Sequence, residues 1–206
     1  MIAFSLILLL ASVAGWIAAN GAPARARPYL QIAAALYAAL ALSGPALETL
    51  TSLIHLPGLN EGALLSVRDL VATLGAALLC VAAYSAFRGA PDATTASVIL
   101  ALAALIGLAA ALTGFPILAA VPQAVSAVLI FLLARPALRH RASLYLGLSA
   151  LSLLAAAACQ SAPGIAARAG VLLFVAAALI GVAFASNVLV EQRNQDKRAL
   201  AITRGR

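Results

Sequence analysis

The sequence predicts an all-α protein, a polytopic transmembrane helical bundle of about seven spans with its N-terminus outside and its C-terminus in the cytoplasm. Three observations predict it. Of the 206 residues, 65% are hydrophobic and the mean hydropathy is +1.08, where a soluble domain is about half apolar. Nearly every window of about 20 residues is apolar and broken only by short Gly, Pro or Arg punctuation, which is how membrane spans read. Most of the basic residues lie in the short connections and the C-terminal tail rather than in those windows. A transmembrane barrel would need strands of about 10 residues alternating apolar and polar positions, and stretches such as "VILALAALIGLAAAL" do not alternate.

The spans fall at residues 2–20, 28–48, 64–87, 94–113, 116–134, 142–160 and 165–190. The first lacks a positively charged leader and a small-x-small cleavage site, so it reads as a retained span rather than a signal peptide. "NGAPARARP" separates it from the second, with Pro28 suited to a helix's first turn. Beyond the second span, "LETLTSLIHL" keeps Leu47, Leu50, Leu53 and Ile54 on one helical face, and Glu48, Thr51, Ser52 and His55 on the other. That pattern is a short amphipathic extension at the outer surface. Asn60 stands where it can cap the third helix, and Asp92 in "RGAPDATT" where it can cap the fourth. "TGFP" is a tight turn before the fifth span, "ARPALRHRAS" parts the fifth from the sixth, and "SAPG" precedes the seventh. Residues 1–190 form the membrane domain and 191–206 a basic cytoplasmic tail, helical for a further turn or two. A repeat of three helices about a linker helix fits the lengths, but the Pro28 and Gly44-Pro45 pattern of the second span has no counterpart in the sixth.

Orientation follows from the Lys and Arg residues. With the N-terminus outside, Arg25, Arg27, Arg88, Arg135, Arg139, Arg141, Arg193, Lys197, Arg198, Arg204 and Arg206 all fall inside. Only Arg68 and Arg168 are left at the outer edge, in keeping with the positive-inside rule. The net charge of +7 is thus an anchoring pattern, with Arg135, Arg139, Arg141, Arg193, Lys197 and Arg198 placed to touch anionic lipid headgroups or a partner. No basic groove with interleaved aromatics points to nucleic acid.

Two polar constellations are candidates for function. Counting back about 20 residues from Phe87 puts the outer boundary of the third span near residue 67, so Arg68 and Asp69 lie at the outer interface. With Glu48, His55 and Glu61 they make an extracytoplasmic polar cluster, either an entrance or docking site or plain interfacial anchoring. The second constellation is mild and lies near the midplane: Tyr37, Thr73, Gln123, Ser126, Ser149 and Ser152. It reads either as a path for a neutral solute, with Pro122 opening backbone groups beside Gln123, or as helix packing. Gly107, Gly147, Gly170, Gly181 and the abundant Ala suit packing.

Several chemistries are excluded. The only Lys is Lys197 in the tail, so no retinal Schiff base forms within the seventh span. His55 lies outside and His140 inside, so they cannot hold one haem iron between them. Cys80 stands about 12 Å and Cys159 about 27 Å from the inner ends of their spans, too different in depth for a disulfide, whose Cα atoms lie within about 7 Å. Both read as apolar fillers. There is no phosphate-binding Gly-rich loop, no zinc spacing and no nucleophile motif. The sequence therefore predicts no metal, no cofactor and no enzymatic activity. The expected function is that of an accessory or structural subunit packing against other membrane components. A small carrier or channel for an uncharged or weakly polar solute is the alternative, and a sensor signalling through the tail a weaker one. The expected location is a bacterial inner membrane.

Overall fold

The computed structural model describes residues 2–54, 61–89, 91–134, 141–162 and 165–204; within these, side chains are described except at 2, 4, 44–54, 61–66, 116, 161, 165, 166, 168, 169 and 199–204. All regular elements among the described residues are α-helices: α1 Ile2–Ala19, α2 Arg27–Ile54, α3 Glu61–Phe87, α4 Ala93–Thr113, α5 Pro116–Ala134, α6 Arg141–Ser161 and α7 Ile165–Arg204. The seven helices match the seven apolar windows in order. Five of them, α3 to α7, are long and apolar enough to cross a membrane, and α1 carries a shorter apolar run, Ser5–Ala19.

The helix ends follow local chemistry. Asp92 occupies the N-cap of α4 as the sequence predicts, yet its side chain makes no capping hydrogen bond. Gly114 ends α4 in the left-handed conformation with φ 68°, and its N–H donates to Ala110 O at 3.0 Å. That turn is short enough to send α5 back along α4. Two helices outrun their expected ends. The amphipathic stretch after the second span is continuous with α2, whose backbone stays helical to Ile54. The tail is helical to Arg204, roughly four turns beyond Val190 rather than one or two. Nothing in "EQRNQDKRALAITR" breaks a helix, since it holds neither Pro nor Gly.

α3 is the central helix, packed against α2, α4, α5 and α7. Its apolar window is 78% buried within the protein, against 22% for that of α4, so α3 forms the core and α4 the periphery. α6 packs between α5 and α7, and α1 between α2 and α7. The core contains Leu8, Leu30, Leu79, Ile130, Leu146, Leu153, Leu179 and Val182, all fully buried. Outward faces of α1, α4 and α5 carry Leu10, Ile17, Leu105, Leu112 and Phe131 in the open, the arrangement expected where lipid is the solvent. Short turns join α3 to α4 and α4 to α5, and Gln160 near the end of α6 meets Asp69 near the start of α3, so the helices from α3 to α6 alternate in direction. One end of the bundle, the α2–α3 side, holds the start of α3 and the end of α6. The other, the α3–α4 side, holds the end of α3 and the starts of α4 and α6.

Candidate functional site

Asp69 lies just inside the apolar window of α3, which opens at Val67. It is 7% exposed, on a helix face that continues through the buried Thr73 and Ala76. Arg68 donates from Nε and Nη2 to Asp69 Oδ1, at 3.2 and 3.0 Å. Both side chains are largely shielded, at 14% and 10% exposure. A third donor comes from a helix 91 residues on. Gln160, one residue from the end of α6, donates from Nε2 to the same Oδ1. Gln160 is 3% exposed, and its own Oε1 is buried without a hydrogen-bond partner.

The bridge adds Gln160, from α6, to the Arg68 and Asp69 of the expected cluster. The sequence places Arg68 and Asp69 at the outer interface; in the structure Asp69 is buried among protein groups and Arg68 is half-buried beside it. Charged groups so placed are retained only when paired and hydrogen-bonded, and three donors on one oxygen meet that requirement. The side chains of Glu48 and Glu61, and all of His55, lie outside the described residues. Gln160 is not legible as a member from sequence, because no local pattern couples residues so far apart in the chain. The one signal it gives is a polar amide at the extreme end of an apolar span. The bridge spans a gap: α3 and α6 otherwise have almost no close backbone contact.

The midplane residues separate into two kinds. Thr73 Oγ1 donates to Leu70 O at 2.9 Å, and Ser149 Oγ to Tyr145 O at 2.7 Å, so both hydroxyls bond to their own helix. Each then faces a glycine on a neighbouring helix. A methyl group on Gly107 of α4 would collide with Thr73 Oγ1, and one on Gly181 of α7 with Ser149 Oγ. Gly75 of α3 is met in the same way by the ring of Tyr37 from α2. These are small-residue crossings that bring helix backbones close. Gly170 faces Cys159 Sγ on α6, whereas Gly147 has open space beside it, in an apolar groove of about 310 Å³ between α5 and α6. Cys80 is buried and Cys159 half-buried, and neither is in a disulfide.

Gln123 belongs to the second kind. It is fully buried on the inward stripe of α5 with Ala119, Ser126, Ala127 and Ile130. Neither its Nε2 nor its Oε1 has a partner. Pro122, inside α5, lacks the N–H that would otherwise bond to Leu118 O, so one further backbone acceptor is freed one turn away. The Tyr37 hydroxyl is likewise buried and unpartnered. Ser126 is buried and Ser152 half-buried.

At the α3–α4 side, Arg141 opens α6, and Arg193, Lys197 and Arg198 stand along the last turns of α7. Arg193 Nη2 reaches Ala86 O near the end of α3, at 3.5 Å. Arg135 and Arg139 lie outside the described residues. Among the described residues no group of His, Cys, Asp and Glu is arranged to hold a metal. Comparison of the chain with protein-family models, curated proteins and solved structures finds no match.

Proposed function

We propose that the protein is a non-enzymatic multi-pass subunit of a bacterial inner membrane that works by packing against other membrane components, with its N-terminus outside and the α3–α4 side in the cytoplasm. The observation that carries this reading is the use made of mid-depth polarity. Thr73 and Ser149 satisfy their hydroxyls on their own backbones and serve as contact points for Gly107 and Gly181. Side chains used in this way at helix crossings are not offered to a solute. The basic residues of the α3–α4 side support the orientation through the positive-inside rule.

One observation favours a second reading, a small carrier for a weakly polar solute: the wholly unpartnered amide of Gln123. Buried amides are almost always bonded, and a water or a passing solute would meet that need. The two readings part in one experiment. The protein is extracted in mild detergent and weighed intact, and solute flux is measured in reconstituted vesicles. A stoichiometric partner and silent vesicles support the subunit; flux from the isolated chain overturns it. Orientation is tested with Arg139→Cys in a Cys80→Ala, Cys159→Ala background. Labelling should occur only after the membrane is opened, and labelling from outside intact cells reverses the assignment.

A further inference from the structure

A groove of about 610 Å³ runs between α4 and α5 over the surface of α3. Its floor is apolar, with Val81 from α3, Ile99 from α4, and Leu129 and Leu132 from α5. Its mouth, at the α3–α4 side, is not. Arg88 and Asp92 both line it, with the Tyr84 ring between floor and mouth. From Cys80 to Arg88 the groove follows α3 for about 12 Å, reaching from the helix end into the membrane-depth part of the span.

The ion pair present among the described residues is Arg68–Asp69, so Arg88 and Asp92 are not paired to each other or to a described neighbour. Asp92 holds the N-cap position of α4 without spending its carboxylate on a capping bond. A second cation is near: Arg25 Nη1 would stand 3.6 Å from a methyl group on Gly89, in the turn beside Arg88. The groove therefore presents one guanidinium and one carboxylate above an apolar trough, with the Arg25 guanidinium beside the adjoining turn.

We propose that this groove is a specific site for a phospholipid with a zwitterionic headgroup that carries both a phosphate and a primary ammonium, that is, a phosphatidylethanolamine. Charge complementarity selects it. Arg88, with Arg25 beside it, meets the phosphate through planar donor pairs. Asp92 accepts from the ammonium, and an acyl chain lies along Val81, Ile99 and Leu132. A quaternary choline has no N–H to give Asp92, and an anionic glycerol headgroup leaves the carboxylate without an opposite charge. The site is independent of whether the protein is a subunit or a carrier.

The test places the whole chain in vesicles of equal phosphatidylethanolamine, phosphatidylcholine and phosphatidylglycerol, then counts the lipids retained by native mass spectrometry. Wild-type protein should keep one phosphatidylethanolamine, enriched roughly tenfold over phosphatidylcholine, the factor expected of one charge-assisted hydrogen bond. Asp92→Asn should abolish that preference, Arg88→Gln should lower retention of every phospholipid, and Ile99→Trp, which fills the trough, should remove the bound lipid. No variant is needed for a second arm: stepwise N-methylation of the ethanolamine should reduce retention by wild-type protein. Preference for phosphatidylglycerol unchanged by Asp92→Asn overturns the zwitterionic assignment. Equal retention of all three lipids, or indifference to N-methylation, overturns the site.

Discussion

The Arg68–Asp69–Gln160 bridge and the Gly181–Ser149 crossing both put polar atoms in the interior, and they use them in opposite ways. At the bridge, a carboxylate on α3 gathers donors from its own helix and from α6, across helices that otherwise scarcely touch. At the crossing, Ser149 turns its hydroxyl back onto Tyr145 O and offers α7 only its small size. The bridge is held by directional bonds and the crossing by close packing. Each should therefore break under a different kind of substitution.

The largest effect is expected at the bridge. Asp69→Ala strips the acceptor from Arg68 and Gln160 together and leaves a largely shielded guanidinium with no carboxylate beside it among the described residues. Breaking a buried pair this way costs about 3–5 kcal/mol. Unfolding in mixed micelles should show that loss, and a cost below about 1 kcal/mol would mean that water reaches the pair as it reaches a surface one.

Next comes the crossing. Gly181→Ala adds one methyl group against Ser149 Oγ, with Tyr145 O 3.1 Å away. Overpacking of this kind costs about 1–3 kcal/mol. The added variant Ser149→Ala removes the colliding oxygen, so the double variant should recover part of the loss. A double-mutant cycle measures that coupling, and strict additivity would mean that the two residues do not press on each other. The same cycle run between Gly181 and Asp69 should be additive, since bridge and crossing share no partner.

Much of the helical layout is legible in the sequence alone. Apolar windows, the Gly114 turn and the Asp92 start are local features, read from a few neighbouring residues. What is not legible is what depends on pairing distant segments. Gln160 and Tyr37 are ordinary residues of their own helices; only the fold sets one against Asp69 and the other against Gly75. Burial of Asp69 escapes the sequence for a related reason: depth along a span is countable, but the direction a side chain faces depends on its neighbours. The tail's helix is longer than its charge suggests, because charge points to solvated chain while the lack of Pro and Gly permits continuous helix.

Gln160→Leu sharpens the comparison at smaller scale. It removes one of three donors from Asp69 Oδ1, which costs about 1–3 kcal/mol when an acceptor is left wanting. Two facts push the value toward the low end. Arg68 still holds the carboxylate through two hydrogen bonds, and the unpartnered Gln160 Oε1 disappears with the substitution. A loss of about 1 kcal/mol in the same unfolding measurement is expected, well below that of Asp69→Ala. If the two are equal, Gln160 rather than Arg68 holds Asp69 in place.

The smallest effect on stability is expected at Gln123, and it decides the most about function. Leu there keeps a similar volume and removes two polar atoms that have no partners. Replacing a group that already bears its desolvation cost by an apolar one is close to neutral or stabilising. In a packing subunit, Gln123→Leu should therefore leave unfolding, partner association and vesicle behaviour where they were, or raise stability slightly. In a carrier, the amide is filled in turn by water and solute, so the substitution should leave the fold intact and abolish flux. A marked loss of stability fits neither and would show that Gln123 is bonded in the membrane to a water or a neighbouring subunit. Flux measured beside unfolding on the same preparation separates the three outcomes.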